Sequence, residues 1–172
     1  MRSNSGHLTI RPEQPGDEKA IAAVTAAAFG RVAEAELVDR LRAEGQLRIS
    51  LVAWLDDVAV GHVAFSPVHI KYPVPFSALG LGPLSIVPEQ QRRGIGGQLT
   101  RLGLAYCLAQ DEPLVFLLGH PEYYPRFGFR PAPILGFTCK WARRGNHFMV
   151  AELRDGALAE RRGQVHFHSA FG

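Results

Sequence analysis

Apolar and polar positions change period several times along this chain, and each change marks an element. Leu8–Pro12 (LTIRP) alternates and then meets a proline, as a short first strand does. Residues 17–29 are alanine-rich, with Ile21, Val24 and Ala28 at helical spacing and Gly30 as a stop. Ala33–Ala43 reads as a second helix, with Leu37 and Leu41 four apart and Gly45 behind. Residues 47–55 and 58–68 are β-rich and separated by Asp56 and Asp57, which predicts an antiparallel hairpin. Residues 71–76 carry two prolines and read as a loop or an edge, and the extended run 79–87 ends at Pro88. Beyond Gly94, Gly96 and Gly97, the positions Ile95, Leu99, Leu102 and Tyr106 describe a helix opened by glycines. Residues 113–119 (PLVFLLG) are almost continuously apolar, a strand buried on both faces. From Tyr123 on, a short helical turn precedes strands around 134–141, 148–153 and 164–167. The order predicts a mixed α/β sheet with one βα crossover near its middle, and the early hairpins exclude a doubly wound dinucleotide fold.

Composition narrows the class. A chain of 172 residues, 47% hydrophobic and 20% charged, is expected to fold as one ordinary globular domain over residues 1–172, without disulfide staples. Cys107 and Cys139 form no C-x-x-C pair, which excludes a disulfide framework or zinc ribbon and favours a reducing compartment. No apolar run reaches the roughly 18 residues of a membrane span. The N-terminus lacks the apolar stretch of a signal peptide, so a cytoplasmic location is expected. A net charge of +3 is too small to argue for nucleic acid, and Arg143-Arg144 reads as solvated surface. His166-x-His168 would set two imidazoles on one strand face, but no third ligand accompanies them and no metal is expected.

The most informative stretch is 83–99, PLSIVPEQQRRGIGGQL. A strand runs to Pro88, a polar loop brings Arg92 and Arg93, and Gly94-Ile95-Gly96-Gly97 opens a helix. The first N–H groups of a helix lack internal partners and point outward at the positive end of its dipole. Glycines there let a phosphate or pyrophosphate approach the main chain. Leu99 breaks G-x-G-x-x-G, and Gly-Lys-Ser/Thr is missing, so a nicotinamide enzyme or a P-loop NTPase does not fit.

Gln91-Arg92-Arg93-Gly94-Ile95-Gly96 fits the Q/R-x-x-G-x-G/A signature of the GNAT superfamily of acyl-CoA N-acyltransferases. Residues 114–132, LVFLLGHPEYYPRFGFRPA, resemble the same family's buried fifth strand and its Y-x-x-x-G-F element. The paired tyrosines resemble the YhbS-like branch of that superfamily. The resemblance covers nearly the whole chain. It implies a central, mostly antiparallel sheet flanked by helices, with the fourth and fifth strands splayed around the pantetheine arm. It further implies acetyl-CoA as acyl donor, bonded by the main chain of Leu84, Ser85, Ile86 and Val87. The pyrophosphate would lie on the turn made by Gln91, Arg92, Arg93, Gly94, Ile95, Gly96 and Gly97. An amine acceptor, of a small molecule or a protein, would attack the thioester directly, leaving the cysteines without a catalytic role. A homodimer is also in keeping with the family.

Tyr124, four residues before Gly128, matches the family's general-acid tyrosine, with the adjacent Tyr123 as the other register. A phenol with pKa about 10 can serve a thiolate whose conjugate acid has pKa about 8.5. No carboxylate lies within 79–87, where some relatives keep a glutamate, and Gly119-His120-Pro121 stands where the family often has an asparagine. His120, Glu122, His62 and a water chain are the candidate routes for the acceptor's proton. Two rivals remain: a non-catalytic acyl-CoA-binding regulatory domain, and transfer to a hydroxyl.

Overall fold

A computed structural model describes residues 6–71, 74–142 and 147–172, so Arg143 and Arg144 lie outside the described residues. In chain order the elements are β1 (Leu8–Pro12), α1 (Glu18–Phe29), α2 (Ala33–Ala43), β2 (Ile49–Leu55), β3 (Val58–Ile70), β4 (Phe76–Ile86), α3 (Ile95–Ala109), β5 (Leu114–Leu118), β6 (Phe129–Pro131), β7 (Phe137–Cys139), β8 (Phe148–Glu152) and β9 (Gly163–His166). The strands pair in the order β1-β2-β3-β4-β5-β8-β6, and β9 pairs with β3 and β7. Most pairings are antiparallel, and α3 is the crossover between the parallel strands β4 and β5. The mixed sheet expected from the hydrophobic pattern is therefore present. β4 starts at Phe76, inside the stretch read as loop or edge. β6 was not legible, because three residues with one buried side chain carry no period.

The chain packs as two compact units, and β3, β4 and α3 each contribute to both. The first holds the chain up to Ala64 together with Pro83–Thr100. Here β1 runs antiparallel to β2 from Leu8↔Leu55 to Pro12↔Leu51, and the core gathers Ile21, Val38, Val52 and Ala64. The hairpin after β2 turns at Asp56, whose φ of 53° supplies the reversal. Asp17 precedes α1 and accepts two bonds from the Arg11 guanidinium (2.6 and 3.1 Å) and one from the Gln14 amide (2.8 Å). In α2 the buried line is Ala35, Val38 and Leu41, with Leu37 only half-buried. Gly61 of β3 lets the chain's apolar layers close up: a Cβ there would meet Ile86 Cδ1 at 2.8 Å and Leu99 Cδ1 at 3.0 Å.

The second unit holds Phe65–Gly82 and the chain from Arg101 onward. β5 is buried as expected, paired with β8 from Leu114↔Glu152 to Leu118↔Phe148. Its ladder with β4 has two residue pairs, Leu79↔Val115 and Gly80↔Phe116. Phe116 anchors the core between Phe137 (5.0 Å, edge-on) and Phe148 (5.8 Å, stacked), geometries worth about 0.5–1.5 kcal/mol each beyond area burial. The buried line of α3 here passes through Gly103, Leu104 and Cys107, leaving Leu102 and Tyr106 half-buried. The helix turns that side inward because Gly103 lies directly on the Phe65 ring, where a Cβ would come within 2.4 Å.

Candidate active site

The turn that opens α3 belongs to the first unit. Pro88–Gln90 makes one 3₁₀ turn, and Arg92 (φ 62°) and Gly94 (φ 83°) then take left-handed conformations that swing the chain into the helix. A left-handed residue other than glycine costs roughly 1–2 kcal/mol, so this bend is held by its surroundings. Part of the hold is the Gln91 side chain, which donates to the Ile86 carbonyl at 3.0 Å. The first intrahelical bond is Gln98 N–H to Gly94 O at 3.1 Å. The N–H groups of Ile95, Gly96 and Gly97 precede it and so have no acceptor within the helix. Ile95 and Leu99 are buried and anchor the turn from below, while Gln91, Arg92, Arg93 and Gly94 are exposed. The result is a half-buried rim of main-chain donors at Ile95, Gly96 and Gly97, bordered by the exposed Arg92 and Arg93, a suitable place for phosphate oxygens.

Of the four residues expected to pair with pantetheine, Leu84, Ser85 and Ile86 lie in β4, but Val87 does not. Val87 sits just past the strand; its N–H already donates to Val60 O (3.0 Å) and its carbonyl accepts from Gln90 (2.9 Å). The Val87–Val60 bond ties the end of β4 to β3.

His62 stands in a polar row through the apolar interior of this unit. Its Nε2 lies 2.8 Å from Ser50 Oγ, and the Ser50 hydroxyl donates to Glu13. Arg42 holds Glu13 through Nε at 2.6 Å and Asp39 through Nη1 at 2.5 Å. Because the serine proton points at the carboxylate, His62 must donate through Nε2–H, and Nδ1 carries the lone pair. Burial, with the Arg42 charge second, pushes the His62 pKa down to about 3. A neutral, fully buried imidazole of that acidity is a poor proton collector.

Tyr124 belongs to the second unit. It begins the 3₁₀ turn Tyr124–Phe127, closed by Gly128 at φ 90°. The residue is 8% exposed, and its ring sits among Tyr123 (5.0 Å), Phe129 (5.7 Å) and Phe127 (6.3 Å). Burial, reinforced by Tyr123, pushes its phenol up to about 12 rather than the ordinary 10 assumed from sequence. Tyr123 is raised less, because Arg126 and Arg101 oppose its burial. His120 and Glu122 stand at the surface, 3.7 Å apart and more than three-quarters exposed. Cys107 is fully buried, with its thiol pushed up to about 12 by burial and then by Glu112, so it is no nucleophile. The two histidines near the C-terminus do not share a strand face. β9 ends at His166, and His168 accepts from the Ala170 amide to cap the next turn. Among the described residues no group of three or more His, Cys, Asp or Glu is placed to hold a metal, and no helix is long and apolar enough to cross a membrane.

The turn after β4 and the tyrosine element after β5 are the features of an acyl-CoA-dependent transferase, and the chain belongs to the family of acetyltransferase (GNAT) domains, whose model matches residues 9–132. It is 35% identical to the uncharacterized N-acetyltransferase YhbS of Escherichia coli K12, over 95% of this chain and 98% of that one. The crystal structure of Escherichia coli YhbS in complex with CoA superimposes with a TM-score of 0.91 at 34% identity, covering 99% of this chain and 95% of that chain. A GNAT family acetyltransferase of Brucella melitensis, solved in complex with acetyl-CoA, gives 0.82 at 37% identity over 97% of this chain and 99% of that chain.

Proposed function

We propose that this chain, working as one acyltransferase domain, moves an acetyl group from acetyl-CoA to an amine by direct attack on the thioester. The observation that carries the reading is the rim of N–H groups at Ile95, Gly96 and Gly97, with Arg92 and Arg93 beside it. CoA and acetyl-CoA in the two relatives support it. The pyrophosphate rests on that rim, and Gln91 holds the rim's entry by its bond to Ile86. Pairing with the pantetheine arm falls to the main chain of Leu84, Ser85 and Ile86, since the Val87 amide is already engaged.

The amine nitrogen adds to the thioester carbonyl, the C–N bond forming first. As the carbonyl re-forms, the C–S bond breaks and the sulfur leaves as thiolate, while the proton shed by the nitrogen passes to water and on to bulk solvent. Tyr124 gives its hydrogen bond, and then its proton, to that sulfur. With the phenol near 12, the proton is present at every physiological pH. Transfer to a thiolate whose conjugate acid has pKa about 8.5 runs uphill by roughly three to four units. The step is therefore drawn forward by amide formation and by reprotonation of the phenolate from solvent. Neither buried cysteine takes part.

A thermal-shift titration with acetyl-CoA, beside NAD and ATP controls, tests the reading. At a hundredfold excess over Kd, binding adds about 2.7 kcal/mol, or about 5–10 °C for a chain of this size. A shift with acetyl-CoA alone is expected; none at millimolar ligand overturns the proposal. Binding without turnover across an amine panel would instead leave a non-catalytic acyl-CoA-binding domain.

A further inference from the structure

We infer that Gly119 is a positioning residue: its bare Cα is the seat on which the Tyr124 ring lies. A Cβ built at Gly119 would come within 2.4 Å of Tyr124 Cε2 and 2.9 Å of Cδ2, and 3.2 Å from Leu117 Cδ1. Contacts below 3 Å are not sustained by real Cβ atoms, so ring and side chain exclude each other. The backbone gives no other reason for glycine here, since residue 119 is absent from the positive-φ positions. Glycine is needed for space alone.

Neither side of this contact can easily give way. Gly119 directly follows β5, and its N–H donates to the His147 carbonyl at 2.9 Å while its own carbonyl accepts from His147 Nδ1–H at 2.9 Å. The two bonds clip residue 119 in place. Tyr124 is fixed from the other side by its N–H to the His120 carbonyl (3.3 Å) and by the rings of Tyr123, Phe127 and Phe129. Arg126 lies 4.6 Å over the Tyr123 ring and Arg101 5.0 Å over Phe127, so the aromatic wall is itself braced. A side chain at 119 would drive the phenol out of the position that gives it its burial.

The inference rests on the proposed role of Tyr124 only for its catalytic consequence, and the test separates the two. Unfolding temperatures of Gly119→Ala, Tyr124→Ala and the double variant form a cycle. Gly119→Ala alone is expected to lower Tm by about 3–10 °C through overpacking, and to lose little in the Tyr124→Ala background, where the space is open. If Gly119→Ala fails to fold alone, recovery in the double variant is the same result. Equal losses in both backgrounds overturn the seat. Ultraviolet titration, with the Tyr124→Phe spectrum subtracted, should show the phenol falling from about 12 toward 10 in Gly119→Ala. An unmoved titration also overturns it. With acetyl-CoA as the probe, Gly119→Ala should lower kcat and spare acetyl-CoA affinity. If Tyr124→Phe leaves turnover intact, the acid role falls while the seat is judged by the cycle alone.

Discussion

The rim that opens α3 and the seat of Tyr124 solve opposite problems. The rim is made of main chain and opens to solvent along its exposed border, Gln91, Arg92, Arg93 and Gly94, with three N–H groups left without helical acceptors. The seat is made of side-chain surfaces and shuts out most of the solvent, holding one phenol among three rings and a bare Cα. Charge on a bound phosphate calls for accessible dipoles, whereas a proton held ready calls for burial that keeps the phenol intact. Glycine serves both ends for different reasons: at Gly94 by its positive φ of 83°, at Gly119 by the space its missing side chain leaves.

The comparison can be broken most sharply at the seat. Tyr124→Phe keeps the ring and removes the proton, so turnover should fall by roughly 10²–10⁴ while acetyl-CoA binding persists. Calorimetric affinity measured beside steady-state rates decides between that outcome and a binding defect. The rim should respond in the other sense. Gly94→Val puts a β-branched residue at φ 83°, and acetyl-CoA affinity should weaken about 10- to 100-fold, readable by the same calorimetry.

A third variant probes the interior behind the rim. His62 has a folded pKa near 3 against about 6.5 unfolded, so the unfolded chain binds the extra proton between those values. Its contribution is complete above pH 6.5 and is lost as pH falls toward 3, a loss of about 3–5 kcal/mol from this group. His62→Gln should flatten that part of a urea-unfolding profile against pH, relative to the native chain. The smallest effect belongs to the exposed Arg31–Glu34 pair at 2.5 Å: Arg31→Ala should move Tm by no more than about 2 °C.

The rim was legible in sequence because main chain does its work, and main-chain geometry is written in local residue order. Gly94, Gly96 and Gly97 after a strand ending at Pro88 announce the turn without any distant partner. Tyr124 was legible only as a motif, and its raised phenol was not, because burial is contributed by Phe129 and Gly119, whose contacts follow from tertiary packing. The row from Glu13 through Ser50 to His62 was hidden for the same reason. Its members lie on separate segments 37 and 12 residues apart, and only strand register brings them together. Both helices stood where the apolar spacing put them, but spacing did not say which side faces inward: Val38 is buried beside the half-buried Leu37, and Gly103 lies on Phe65 beside the half-buried Leu102.

Synthesis meets one further consequence of the way the two units share the chain. The first unit needs Pro83–Thr100 to close, yet Phe65–Gly82 belongs to the second. As the protein leaves the ribosome, β1, β2 and the first part of β3 must wait for the glycine turn to emerge before their unit is complete. The segment proposed to receive phosphate is thus also the one whose arrival completes its nascent half, and a stall before Thr100 is expected to leave that half open to proteases.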